Sequence, residues 1–165
     1  MSEQENSISN FIHEDIILLG VDATDREDAI RQLGKVMFDK GYVKDTYVDA
    51  VITREKSFPT GLPTEEVKVA IPHTDTTHVN RAAIGVAVLN EPVEFFELAT
   101  LDVPVAVEIV FLLAIFNPKE QVLWLQRLIT LFQTEGFLTT LKNSKSPQEL
   151  YEVLVKELER VKAEE

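Results

Sequence analysis

No cysteine occurs anywhere in the 165 residues. Disulfides, thiolate nucleophiles and cysteine-ligated zinc are therefore excluded. Histidine is scarce as well: only His13, His73 and His78 are present. The chain has no Gly-rich phosphate loop, since Gly61-Leu62-Pro63 is not a Walker segment, and no Gly-x-Ser-x-Gly elbow. Positive charge is in deficit, with 16 Lys and Arg against 28 Asp and Glu, a net charge of −12 and a pI near 4.7. Such a surface repels nucleic-acid phosphates and anionic lipid heads, and it suits a partner with a basic face. Long apolar runs are missing too. The longest, residues 105–116, is interrupted by Glu108 and is too short to span a bilayer. The opening Met1-Ser2-Glu3-Gln4-Glu5-Asn6-Ser7 is polar and acidic rather than basic and then apolar, so no secretory signal is read and a cytoplasmic location is expected.

What is present fits one domain with its own core: 45% of residues are apolar and 27% charged. No repeat or low-complexity linker breaks it. The reading is a flexible start over residues 1–10, a single domain over 11–160 and a flexible end over 161–165. Residues 15–19 suggest a strand ending at Gly20. Thr24-Asp25-Arg26-Glu27 has the form of a capping box, and Ala29, Ile30, Leu33, Val36 and Met37 follow at helical spacing. Asp45 or Thr46 can cap a second helix carrying Tyr47, Ala50, Val51 and Arg54. Pro59, Gly61 and Pro63 mark 57–66 as a loop. Strands are predicted at 67–71, at 82–89 and at 93–96, the last returning as a hairpin after a turn at Asn90-Glu91-Pro92. Residues 105–115 predict a central strand, because the apolar content is nearly continuous. Asn117-Pro118-Lys119-Glu120 and Ser146-Pro147-Gln148-Glu149 each open a helix with a cap, a proline and an acid in the first turn. A short helix is predicted over 135–142. The order gives an α/β fold, a mixed sheet sandwiched by helices.

Without cysteine, nucleophilic chemistry falls to Ser, Thr, Lys, a carboxylate or His. His73 stands out by position. Pro72 fixes its own φ and drives Ile71 into an extended conformation, so the strand stops and His73 opens the following loop. Sites on α/β sheets gather at that end of the strands. A neutral imidazole is a competent nucleophile near pH 7. The plain alternative is a loop histidine bonded to backbone. A phosphoryl group on His73 would need a cation, and Arg54, just before the Pro/Gly loop, can hold two of its oxygens. Equally, Arg54 can be a surface arginine paired with Asp49 or Glu55. Thr60 offers a hydroxyl and an N–H in the same loop, or is simply a loop threonine. His78 and Asp75 could join His73 around a metal, but a five-residue His–His spacing breaks the i, i+4 geometry of helical ligand pairs. His13 is read as structural. Glu108 is an acid inside an apolar strand and is read as facing outward.

Arg54-Glu55-Lys56-Ser57-Phe58-Pro59-Thr60-Gly61 followed by Val69-Ala70-Ile71-Pro72-His73 resembles the signature of the type 2, fructose–mannitol class IIA domains of the bacterial phosphoenolpyruvate-dependent sugar phosphotransferase system. The resemblance extends over residues 12–160 and implies the mannitol IIA-like fold, a mixed sheet flanked by helices. Phe58-Pro59-Thr60-Gly61, His73 followed by His78, and Asn117-Pro118 leading into Gln121-Val122-Leu123-Trp124-Leu125 are most similar to galactitol-type members. By resemblance, His73 is the phosphorylated residue, Arg54 the phosphate clamp and Thr60 a lesser phosphate contact. Mannitol- and fructose-type members carry a second active-site histidine where this chain has Gln121. Glutamine can donate a hydrogen bond but carries no charge, so stabilisation would rest more on Arg54, with His78 a possible substitute.

The resemblance implies two transfers. His73 takes the phosphoryl group from the phosphohistidine of the carrier HPr and hands it to a cysteine of a IIB component, which serves a membrane IIC that binds the sugar. No cofactor or metal is required. Phe58, Leu62 and Val79 are expected to give the partners an apolar surface, and the acidic rim to steer a basic carrier. Two rivals remain open at this point. One is a regulatory IIA-like phosphoprotein that controls other proteins. The other is a metal-dependent hydrolase using His73, His78 and Asp75.

Overall fold

Along residues 109–115 successive side chains enter two different cores. In the computed structural model, which describes residues 7–165, Ile109, Phe111, Leu113 and Ile115 face one core while Val110, Leu112 and Ala114 face the other. This is the period-two geometry of a strand buried on both faces. It belongs to β5 (Pro104–Ala114), the middle strand of a five-stranded sheet of order β1-β4-β5-β3-β2. The others are β1 (Ile12–Val21), β2 (Gly61–Leu62), β3 (Val69–Ala70) and β4 (Ala83–Phe96). β1 runs parallel to β4 and β3 parallel to β5, whereas β4 with β5 and β2 with β3 are antiparallel. The sheet is mixed, as the helix–strand order predicts.

Helices cover both faces. α1 (Arg26–Asp39) and α2 (Tyr47–Ser57) bring Ala29, Leu33, Met37, Tyr47 and Val51 to one side. α3 (Pro118–Phe132), α4 (Phe137–Lys142) and α5 (Pro147–Ala163) bring Trp124, Leu128, Leu141 and Leu154 to the other. Asn117 caps α3 by accepting from the Lys119 and Glu120 N–H groups, and Ser146 caps α5 by accepting from Glu149. Both helix starts follow the cap-plus-proline pattern in the sequence.

Several expectations change. Residues 90–92 are no turn: β4 continues through them, and five residues of β4 pass while β5 advances two, from Val88↔Ile109 to Val93↔Val107. The excess is taken up as a bulge. Asn90 secures it by donating to the Gly20 carbonyl and to Asp22. The strand that returns is β5, so 93–96 is the outer half of β4. The loop expected over 57–66 holds the short strand β2, and the strand expected over 67–71 keeps ladder pairing only at Val69 and Ala70. The first capping box sits one residue later than expected: Asp25 accepts from Asp28 N–H, and Asp28 accepts from Thr24 N–H. Thr46 precedes α2 without capping it by its side chain. Residues 1–6 of the expected flexible start lie outside the described residues, but Ile8 in a 3₁₀ turn (Ile8–Asn10) is fully buried. At the other end α5 reaches Ala163, and Glu165 grips the buried Arg127 through two hydrogen bonds of 2.6 and 2.9 Å. Apolar contact and charge therefore secure residues that polar composition alone assigns to fraying tails. Glu108 is half-buried and lies 3.7 Å from Lys142 Nζ of α4.

Gly61 of β2 shows how tightly the site's scaffold is packed. A Cβ there would lie 2.6 Å from the Phe96 carbonyl oxygen and 3.2 Å from Val105 Cβ. Neither the backbone nor the central strand can yield cheaply. Gly61→Ala is expected to cost about 1–3 kcal/mol, the usual cost of overpacking, lowering the thermal midpoint by several degrees in a calorimetric scan.

Candidate active site

Three elements meet around His73. β3 delivers it, since the chain leaves Ala70 through buried Ile71 and Pro72. β5 fixes the height of that exit, because Leu113 N–H donates to the Pro72 carbonyl at 3.0 Å. α2 supplies Arg54 from its last turn.

The imidazole is oriented by its own strand: Nδ1 lies 2.9 Å from the Ile71 carbonyl oxygen. A carbonyl can only accept, so Nδ1 carries the hydrogen and Nε2 keeps a free lone pair. Burial pulls the His73 pKa below its ordinary value; the Arg54 charge adds to this, and the Ile71 bond opposes it. Both the tautomer and the charge state favour a neutral nucleophile at pH 7.

Arg54 is poised for an anion. Its Nε is buried with no hydrogen-bond partner, and its guanidinium carbon sits 5.0 Å above the Phe58 ring. The alternative ion pairs do not form: Asp49 lies 3.3 Å from Arg31, and Glu55 is occupied by Thr60. Arg54, Phe58, Thr74, Asp75 and His78 line one open cleft of about 460 Å³. His78 ends a 3₁₀ turn (Thr76–His78), with Nδ1 2.8 Å from the Thr46 hydroxyl. Among the described residues no group of three or more His, Asp and Glu converges as a metal-ligand set.

Thr60 lies apart from that cleft. It is 3% exposed and its hydroxyl donates to Glu55 Oε1 at 2.8 Å. Its N–H donates to Glu55 Oε2, also at 2.8 Å. Gln121 sits in the first turn of α3, which starts beyond the same end of β5, and it does not line the cleft. Its Oε1 is buried and unpartnered. The two orphaned buried polar side-chain atoms among the described residues thus fall at Arg54 and Gln121, both nominated from sequence. Of the apolar trio, Phe58 is 58% exposed, Leu62 is half-buried on β2 and Val79 belongs to the core. The α3 start adds exposed Phe116, Val122 and Leu123. A larger hollow of about 720 Å³ beside Glu65, Glu66 and Glu135 presents acids and no cation, so it does not suit a phosphoryl group.

A family model described as "Phosphoenolpyruvate-dependent sugar phosphotransferase system, EIIA 2" matches residues 10–157. The chain belongs to that family. A galactitol-specific EIIA component of Escherichia coli K12 is 35% identical over 122 residues, covering 74% of this chain and 81% of the relative. The 2-O-alpha-mannosyl-D-glycerate-specific EIIABC component of the same organism is 30% identical over 154 residues, 90% of this chain and 22% of that longer protein. Among solved structures, the complex of mannitol enzyme IIA with phosphorylated enzyme IIB from E. coli superposes with a TM-score of 0.71 at 28% identity, covering 88% of this chain and 99% of that one. The mixed sheet and its helices are therefore those of the mannitol-type IIA fold. Among the described residues no helix of this EIIA 2 chain is long and apolar enough to cross a membrane.

Sequence reasoning missed Glu55 as a site-building residue. It is 5% exposed, and burial pushes its carboxyl up to about 7 from an ordinary 4.5. The signal was available, since Glu55 follows Val51 by four and Ile52 by three residues and so lies on the buried face of α2. Between pH 4.5 and about 7 the folded protein keeps a proton on Glu55 that the unfolded chain has released. Raising the pH through that window therefore removes stability. Wild type is expected to lose on the order of 3 kcal/mol relative to Glu55→Gln across it, measured by urea unfolding at stepped pH. Parallel curves would contradict the assignment.

Proposed function

We propose that this EIIA 2 chain is a cytoplasmic phosphoryl carrier that accepts its group on Nε2 of His73 from phospho-HPr and passes it to a IIB component for galactitol or a related polyol. The observation that carries this reading is the His73 geometry: a neutral imidazole whose Nδ1–H is spent on the Ile71 carbonyl, leaving the Nε2 lone pair free within the field of the Arg54 charge.

In the first step the Nε2 lone pair attacks phosphorus, the N–P bond of the donor phosphohistidine breaks, and the donor imidazole keeps that electron pair. In the second, a IIB thiolate attacks phosphorus, and Nε2 recovers its lone pair as the N–P bond breaks. Arg54 holds the transferring oxygens, whose charge it offsets in both directions. Gln121 can turn its amide to present NH₂ to a phosphoryl oxygen. Phe58, Phe116, Val122 and Leu123 offer exposed apolar contacts, and the net charge of −12 draws in a basic carrier. A transport role is favoured over a regulatory one because sugar-specific transport components match most of the chain. The sugar itself is tested by incubating the phosphorylated chain with purified IIB proteins. Fastest dephosphorylation by a galactitol IIB supports the assignment, and faster transfer to a mannitol or fructose IIB overturns it.

A further inference from the structure

A continuous line of hydrogen bonds links a buried carboxylate to the imidazole. Glu55 Oε2 accepts from Thr60 N–H and Oε1 from the Thr60 hydroxyl, both at 2.8 Å. Ile71 N–H is shared between Thr60 Oγ1 at 3.2 Å and the Thr60 carbonyl at 3.3 Å. The carbonyl of that same Ile71 receives Nδ1–H of His73 at 2.9 Å. Glu55 and Thr60 are 5% and 3% exposed, so water does not substitute for either. The neighbouring residue on α2 is Arg54, so one helix turn positions both the cation and the strand that carries the acceptor.

We propose that Glu55 is a positioning residue for phosphoryl transfer, acting through Thr60 and Ile71 to hold His73 in the Nδ1–H tautomer with Nε2 presented to the donor; this rests on His73 being the acceptor. On the β2 side the ladder stops short of Ile71, because β2 and β3 pair only at Gly61↔Ala70 and Leu62↔Val69. β5 holds the other edge through Ala70 and Pro72, and on the β2 side Thr60 carries the pairing on to Ile71. An isolated imidazole samples both tautomers, and only one leaves Nε2 nucleophilic while satisfying the Ile71 carbonyl. The Arg26 and Arg54 charges both favour an ionised Glu55, against the larger effect of burial. Neutral or ionised, the carboxyl accepts one Thr60 donor on each oxygen.

The test uses Glu55→Gln, Thr60→Val and Thr60→Ser in the full chain. Long-range ¹H–¹⁵N spectra of the unphosphorylated protein read the His73 tautomer, and uptake from phospho-HPr reads the rate. Glu55→Gln and Thr60→Val are expected to give a mixed His73 tautomer and to lower the turnover of phosphoryl uptake on the order of ten- to a hundredfold, with the KM for phospho-HPr unchanged. Thr60→Ser keeps both donors and is expected to match wild type in both readouts. If Glu55→Gln disturbs the end of α2, Thr60→Val, which leaves the charge in place, carries the result. A wild-type tautomer and rate in Thr60→Val overturn the proposal, as does a Thr60→Ser protein as impaired as Thr60→Val. The spectra need no donor, so a wild type that fails to take up phosphate counts against the proposed function, while the positioning of His73 is read independently.

Discussion

His73→Ala is expected to abolish phosphoryl uptake, with incorporation falling below detection against wild type when the chain is incubated with phosphoenolpyruvate, enzyme I and HPr. The size of the effect follows from the proposed covalent role. A group that only stabilises the transition state leaves residual turnover, whereas removal of the atom that forms the N–P bond leaves no acceptor. His78 is engaged otherwise, since its Nδ1 lies 2.8 Å from the Thr46 hydroxyl and it ends a 3₁₀ turn rather than β3. His13 is farther still from the role. It stacks on Tyr42 at 4.7 Å and its Nε2 bonds the Ala82 carbonyl. His13→Ala and His78→Ala are both expected to retain a labelled protein; full labelling of His73→Ala would remove His73 from the mechanism. The substitution should be benign to folding, because the His73 side chain is only half-buried and its one hydrogen bond is to a carbonyl two residues away.

Arg54→Ala is expected to lower the rate of uptake by 10²–10³-fold, about 3–4 kcal/mol of transition-state stabilisation, which is the usual loss when a single preorganised donor to a developing charge is removed. The structure gives two reasons for so large a figure. Nε of Arg54 is buried without a partner, so no internal ion pair must break before it binds phosphoryl oxygens. Where the resemblance leads one to expect a second histidine this chain has the uncharged Gln121, which would concentrate the cationic role on one side chain. Arg54→Lys should recover only part of the loss, because an ammonium cannot present a planar two-donor fork. The loss should appear in turnover more than in the KM for phospho-HPr, since the contact strengthens as the group transfers. A rate within a factor of three of wild type for Arg54→Ala would remove it from the site.

Much of this arrangement was legible in the sequence for definite reasons. Pro72 announces where β3 stops, so the sequence alone places His73 at a strand end. The nearly continuous apolar content of 105–115 predicts a central strand, and β5 is the middle strand of the sheet. Asn117-Pro118 and Ser146-Pro147 state their helix starts through cap chemistry. Local rules failed where long-range contacts decide. Asn90-Glu91-Pro92 reads as a turn, but it becomes a bulge because Asn90 is gripped by β1. Thr60 is given a lesser phosphate contact by the resemblance, and in the structure its hydroxyl is turned to Glu55. The partner that turned it was visible only as an acid on the apolar face of α2. Arg54 is nominated by position and charge and Gln121 by resemblance, but their unpartnered buried atoms are a property of packing that no spacing rule reports.

The most direct measurement is the site and chemistry of the bound phosphate. After phosphorylation with phosphoenolpyruvate, enzyme I and HPr, ³¹P and long-range ¹H–¹⁵N spectra of the intact chain identify the modified nitrogen. The account predicts a single acid-labile phosphate on Nε2 of His73, with Nδ1–H still bonded to the Ile71 carbonyl. Phosphate on Nδ1, on another residue, or in an acid-stable ester would contradict it.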